Sequence, residues 1–166
     1  MIVIGIDPGT RITGYGIVKS VENSRELVEY GCICSPEKFK LSQRYHFIFN
    51  RLEELLEKYQ PDVLAVETQF VNKNAQSAIK LGMARGMAIL AASRKEIPIF
   101  EYSPTKAKSA IVGNGRANKT QVQNMVKILL NLSESPQSQD AADALAIALC
   151  HLQASTYHHL MGSQIG

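Results

Sequence analysis

Two short stretches constrain the fold of this chain more than any others. Ile2, Val3, Ile4 and Ile6 form a nearly unbroken apolar run that stops at Asp7, after which Pro8-Gly9 turns the chain. Val63-Leu64-Ala65-Val66 repeats the pattern and stops at Glu67. A strand apolar on both faces must be covered on both, which places it centrally in a sheet with helices on either side. Two such strands are best explained as parallel neighbours. The carboxyl edge of parallel strands is where α/β proteins bind their ligands, and Asp7 and Glu67 would share that edge. A lone strand-end acid commonly means only that a strand has reached water, so the pair gains meaning from what joins it.

Between the two runs the pattern predicts strands over Ile12–Lys19 and Glu26–Cys34, joined by the polar turn Ser20–Ser24. With the opening strand they form an antiparallel meander. Ser42–Tyr59 reads as a helix, with Phe47, Ile48, Leu52, Leu55 and Leu56 at helical spacing and Gln60-Pro61-Asp62 as its stop. Asn74–Ser93 reads as a second helix. Gly82 and Gly86 lie within it, and because glycine weakens a helix by around 1 kcal/mol, a close contact with the sheet or with a second copy is expected. Ile97–Phe100 is a short strand, with Pro98 favouring an edge. Helices follow over Thr105–Ile111, Lys119–Leu130 and Ser138–Leu152, with Asn118 as a candidate cap. Residues 1–153 read as one α/β domain and 154–166 as a loosely held tail.

No apolar stretch approaches a membrane span, and the N-terminus opens directly on strand residues without a leader, so a cytoplasmic location is expected. Cys32, Cys34 and Cys150 have neither framework nor zinc spacing and read as packing residues. Charge is unevenly distributed. Residues 1–67 carry eight Lys/Arg against ten Asp/Glu, residues 68–127 carry ten against two, and residues 128–166 carry none against three. A basic middle between acidic ends points to a polyanionic partner, although a solvated basic face fits the charge equally well. Lys73, Lys80, Arg85, Lys106 and Arg116 in that middle are candidates for contacts to the phosphates of such a polyanion.

Asp140 and Asp143 lie three apart on the last helix and share a face. Asp140, in a first turn, suits the helix dipole. Asp143 lies deeper, among alanines, leucine and isoleucine, where two carboxylates repel unless cations or protons neutralise them. Asp7, Glu67, Asp140 and Asp143 together make a hard oxygen donor set without His or Cys, which favours Mg²⁺ or Mn²⁺. Four carboxylates suffice for two ions about 4 Å apart, an arrangement suited to phosphodiester hydrolysis. With the basic middle segment, this favours a nuclease.

Gly-Ile-Asp-Pro-Gly-Thr, Val-Glu-Thr-Gln-Phe, Lys-Leu-Gly-Met-Ala-Arg-Gly and Asp-Ala-Ala-Asp-Ala-Leu-Ala resemble, in order and spacing, the motifs of the RuvC Holliday-junction resolvases over residues 1 to about 152. The resemblance implies a ribonuclease H-like fold, with a five-stranded mixed sheet flanked by helices. It implies a homodimer that makes paired nicks in a four-way DNA junction, with two Mg²⁺ per subunit, Mn²⁺ substituting, and the RuvA-RuvB branch-migration complex as partner. The products would carry a 5′ phosphate and a 3′ hydroxyl. The family's catalytic acids match Asp7, Glu67, Asp140 and Asp143. Its inserted aromatic residue matches Phe70, its basic residues near the active site match Lys108 and Lys119, and its dimerisation helix matches the segment around Gly82 and Gly86.

Phe70 read without the family could simply cap the core, and the two lysines could be ordinary surface residues. Three rivals remain. A two-domain sugar-kinase or actin-like ATPase needs a longer chain, and a non-catalytic junction binder would not need the acids. A related nuclease acting on RNA or other branched DNA is the serious alternative, because fold and metal site do not fix the substrate.

Overall fold

The computed structural model describes residues 1–22, 24–68 and 74–161, with 156–161 as backbone only. Among these residues the order is β1 (Ile2–Asp7), β2 (Ile12–Val21), β3 (Ser24–Cys34), α1 (Leu41–Tyr59), β4 (Val63–Glu67), α2 (Ala75–Arg94), β5 (Ile99–Tyr102), α3 (Pro104–Val112), α4 (Lys119–Leu129) and α5 (Gln139–Met161). The strands form one sheet in the order β3-β2-β1-β4-β5. β1, β2 and β3 pair antiparallel, and β1/β4 and β4/β5 pair parallel. The expected mixed five-stranded sheet is present, with both apolar runs at its centre.

Register between the two central strands is set at their amino ends. Asp62 accepts the Ile2 N–H through Oδ2 at 2.6 Å, and its own N–H donates to the Ile2 carbonyl at 2.8 Å. Ile6 then lies opposite Val66, so Asp7 and Glu67 end their strands level with each other.

Pleating divides the core into two layers. On one face Val3, Val63 and Ala65 pack against Leu145, Ile147 and Leu149 of α5, backed by Ala107 and Ile111 of α3 and Val122 and Val126 of α4. On the other, Ile4, Ile6, Leu64 and Val66 pack against Ile48, Leu52 and Leu56 of α1 and Ala88, Ala91 and Ala92 of α2. No helix among the described residues is long and apolar enough to cross a membrane.

Three boundaries differ from the sequence pattern. β5 starts at Ile99 and runs to Tyr102 rather than spanning 97–100. Proline has no N–H to give to a ladder, so Pro98 contributes only its carbonyl, which accepts from Leu64 N at 2.9 Å. β2 extends to Val21 and β3 starts at Ser24, a tighter hairpin than the turn expected over 20–24. α5 continues past Leu152 to Met161, so the tail expected from residue 154 is helical through 161. Ser155 Oγ bonds the carbonyls of His151 and Leu152 at 3.0 and 3.1 Å, keeping the helical turn, and no Gly or Pro interrupts the segment before Gly162.

Candidate active site

Asp7 and Glu67 project from the face of the sheet that α5 covers, because they continue the Val3-Gly5 and Val63-Ala65 alternation. What brings α5 to them is the absence of side chains beneath it. A Cβ on Gly14 would stand 2.0 Å from the Asp140 carbonyl oxygen, and one on Gly5 would stand 2.0 Å from the Ala144 carbonyl oxygen. Gly14 is the β2 partner of Asp7, and Ala144 follows Asp143. The first turns of α5 therefore rest on bare strand backbone beside β1, which carries Asp140 and Asp143 to the strand ends.

Electrostatics report the same gathering. The Asp7 carboxyl is pushed from an ordinary 3.8 up to about 8, by burial first and then by the negative charges of Glu67, Asp143 and Asp140, with Lys119 opposing. Glu67 is raised to about 7 by burial and by Asp143, with Lys108 opposing. Asp143 is raised by burial; Lys108 and Lys119 pull it down, and Asp140 pushes it up. Asp7 thus lies in the field of the other three acids, with Lys108 and Lys119 supplying compensating charge nearby. A pocket of about 110 Å³ lies beside two of the acids, lined by Glu67, Asp143 and Lys108 with Pro104, Ala107 and Ala146.

The convergence is one of placement rather than of a finished coordination shell. Among the described residues no three His, Cys, Asp or Glu side chains stand arranged as a metal-binding group. Carboxylates without a neutralising cation repel, so their oxygens do not draw together unaided. The donor chemistry nonetheless fits a hard divalent cation. The strand ends and α5 supply only carboxylate oxygens, and two of the groups are held so far above their usual range that a cation would relieve a real penalty.

Lys108 lies in α3 and lines the pocket, and Lys119 is the exposed first residue of α4. Asn118 caps α4, accepting the Gln121 N–H at 2.9 Å while Gln121 Oε1 accepts the Asn118 N–H at 2.8 Å. Neither α3 nor α4 has an acid in its first turn, so their positive ends add to the lysine charge instead of being offset.

The other basic candidates separate. Lys80 and Arg116 are exposed, and the Lys106 ammonium sits 5.2 Å from the Tyr102 ring centroid. Arg85 forms an ion pair with Glu101, tying α2 to β5, so its charge is engaged within the chain. Phe70 and Lys73 lie outside the described residues.

Sequence reasoning passed over the glycines beneath α5. A signal was available: Gly14 and Gly16 alternate on one face of β2, and an alanine-rich helix is suited to approach such a track. It also passed over the Ser138 contact of Cys32. Cys32 Sγ lies 3.0 Å from Ser138 Oγ, which in turn accepts the Ala141 N–H at 3.3 Å, joining β3 to the start of α5.

Comparison with known proteins agrees with this geometry. The family model described as crossover junction endodeoxyribonuclease RuvC matches residues 3–151. The crossover junction endodeoxyribonuclease RuvC of Protochlamydia amoebophila (strain UWE25) is 54% identical over 153 residues, covering 92% of this chain and 91% of that protein. Among solved structures, T. thermophilus RuvC in complex with a Holliday junction substrate superposes with a TM-score of 0.88 at 34% identity, covering 95% of this chain and 96% of that one. The yeast mitochondrial resolvase Ydc2 shares the fold, with a TM-score of 0.66 at 19% identity over 95% of this chain and 80% of its own. The fold is that of the ribonuclease H-like resolvases, and the chain belongs to the RuvC family of crossover junction endodeoxyribonucleases.

Proposed function

We propose that this protein resolves four-way DNA junctions by paired nicks, one from each subunit of a homodimer, in a reaction that requires Mg²⁺ or Mn²⁺. The observation that carries the chemistry is the meeting of the Asp7 and Glu67 strand ends with the first turns of α5, which sets Asp7 in the field of Glu67, Asp143 and Asp140 with Lys119 opposing. Asp7, Glu67, Asp140 and Asp143 are the residues that would hold the cations. When bound, such ions supply charge neutralisation at the scissile phosphate and a more acidic water. The lysines offset the charge that builds on the phosphate in the transition state. Lys80, Lys106 and Arg116 are available to hold the DNA backbone. Phe70 is assigned to the junction by family match and Lys73 by its place in the basic middle segment; partnership with the RuvA-RuvB complex rests on the family, and a cytoplasmic location is part of the same proposal.

The dimer has its own support. Among the described residues a Cβ on Gly82 or Gly86 would meet nothing within 4 Å, so the close contact expected for these glycines is not made by the chain's own sheet. Ile79, Met83 and Leu90 on the same helix are 63%, 47% and 49% exposed. A flat face with large exposed apolar side chains suits a second copy of itself. A two-fold dimer then presents two equivalent sites to a pseudo-two-fold substrate. The decisive assay compares Mg²⁺-dependent cleavage of four-way junctions, linear duplex and RNA–DNA hybrid, with ATP hydrolysis measured alongside. Preference for the hybrid would favour the ribonuclease alternative.

A further inference from the structure

Thr13 is 1% exposed, and with His151 at 5% it is one of the few polar side chains buried among the described residues. His151 is partnered by Tyr102, whose hydroxyl lies 2.8 Å from its Nδ1. Thr13 spends its hydroxyl differently. It donates to the Gly9 carbonyl at 2.8 Å and accepts the Gly9 N–H at 3.3 Å, so one side chain satisfies both backbone groups of one residue. Gly9 lies two residues after Asp7, and its turn is tight enough that a Cβ there would stand 2.0 Å from the Ile12 carbonyl oxygen. The last β1/β2 pair is Asp7 with Gly14. The Thr13 hydroxyl therefore closes the neck of the turn directly beyond Asp7, while the Arg11 carbonyl, accepting Ser35 N at 2.8 Å, ties its outer side to the end of β3.

A strand end whose carboxylate faces three others has a reason to be held this way. Asp7 feels Glu67, Asp143 and Asp140, and it is followed by a turn rather than by more sheet. If that turn could open, repulsion would be relieved by swinging Asp7 outwards. A cation would then have to pull it back before the set could close around the ion. We propose that Thr13 is a positioning residue whose hydroxyl clamps the turn after Asp7 and keeps this carboxylate in the acidic cluster for divalent-cation binding. The inference rests on the cation reading above and adds a residue that does not touch the ion.

The test compares wild type, Thr13→Val and Thr13→Ser in thermal melts with chelator and across a Mg²⁺ titration, alongside nicking of a four-way junction. Thr13→Val, which removes the hydroxyl at nearly constant shape, is expected to need about 10-fold more Mg²⁺ for half-maximal stabilisation and half-maximal nicking, the scale seen when the partners that orient a ligand are removed. Junction affinity in chelator should be unchanged, and Thr13→Ser should restore the Mg²⁺ requirement. A valine variant with a lower melting point but a wild-type Mg²⁺ requirement would overturn the proposal, leaving Thr13 a purely structural residue. Should that variant not fold, amide exchange of Gly9 in metal-free wild type decides: strong protection supports the clamp, and exchange at open-loop rates refutes it. A wild-type protein whose melting point and nicking both ignore Mg²⁺ would overturn the cation reading, and this inference with it.

Discussion

Asp7→Asn should make the metal-free protein more stable while abolishing cleavage, and the size of the gain should depend on pH. The Asp7 carboxyl sits at about 8 in the folded protein against an ordinary 3.8. Between those values the folded chain holds a proton that the unfolded chain has released, so stability falls as pH rises through the window. Below about pH 4 both states are protonated and the penalty vanishes; above about pH 8 it is complete. At about 1.36 kcal/mol per tenfold change, the full displacement corresponds to at most about 6 kcal/mol. Relaxation of neighbours and entry of water reduce this, and a realised gain of about 2–3 kcal/mol is the working expectation.

For a domain of this length that is a rise of roughly 5–10 °C in melting temperature. The assay is a thermal melt of wild type and Asp7→Asn from pH 4 to pH 9, in chelator and in Mg²⁺. The two curves should converge at acid pH, separate towards pH 9, and approach again when Mg²⁺ stabilises wild type. An asparagine variant that melts no higher than wild type at pH 9, or by a margin that ignores pH, would refute the assignment of Asp7 to a repelling acidic cluster.

Lys108→Ala should slow nicking by roughly 10²-fold with little loss of junction affinity in a gel shift. Because Lys108 is the cation that pulls Glu67 down, its removal should also move the acid limb of the pH–rate profile upwards, and an unmoved limb would separate Lys108 from Glu67. Gly14→Ala forces a methyl against the Asp140 carbonyl and should destabilise by about 1–3 kcal/mol while misplacing both helix acids, so the cleavage rate should fall by more than the melting shift accounts for. Met83→Glu places a charge on the exposed face of α2 and should yield a monomer in analytical ultracentrifugation, with single nicks replacing paired ones. A variant that sediments as a dimer would locate the interface elsewhere.

What the amino-acid order determined by itself was the set of elements and the chemistry at their ends. Runs apolar on both faces at Ile2–Ile6 and Val63–Val66 can be buried only at the centre of a sheet, and the acids that follow them can only lie at its edge. Those are local consequences of side-chain polarity and the two-residue period of a strand. The i, i+3 spacing of Asp140 and Asp143 is equally local.

Tertiary structure decided everything that needed two distant segments to meet. It set Gly5 and Gly14 as the bare floor on which α5 approaches β1, engaged Arg85 with Glu101, and left Gly82 and Gly86 uncovered by the chain's own sheet. It also closed the Asp7 turn through Thr13. A glycine or a threonine in a strand pattern is compatible with many neighbours. Which backbone comes within 2.0 Å of where a Cβ would be is fixed only when the layers pack, because close packing is a property of the assembled interior and not of either strand or helix alone.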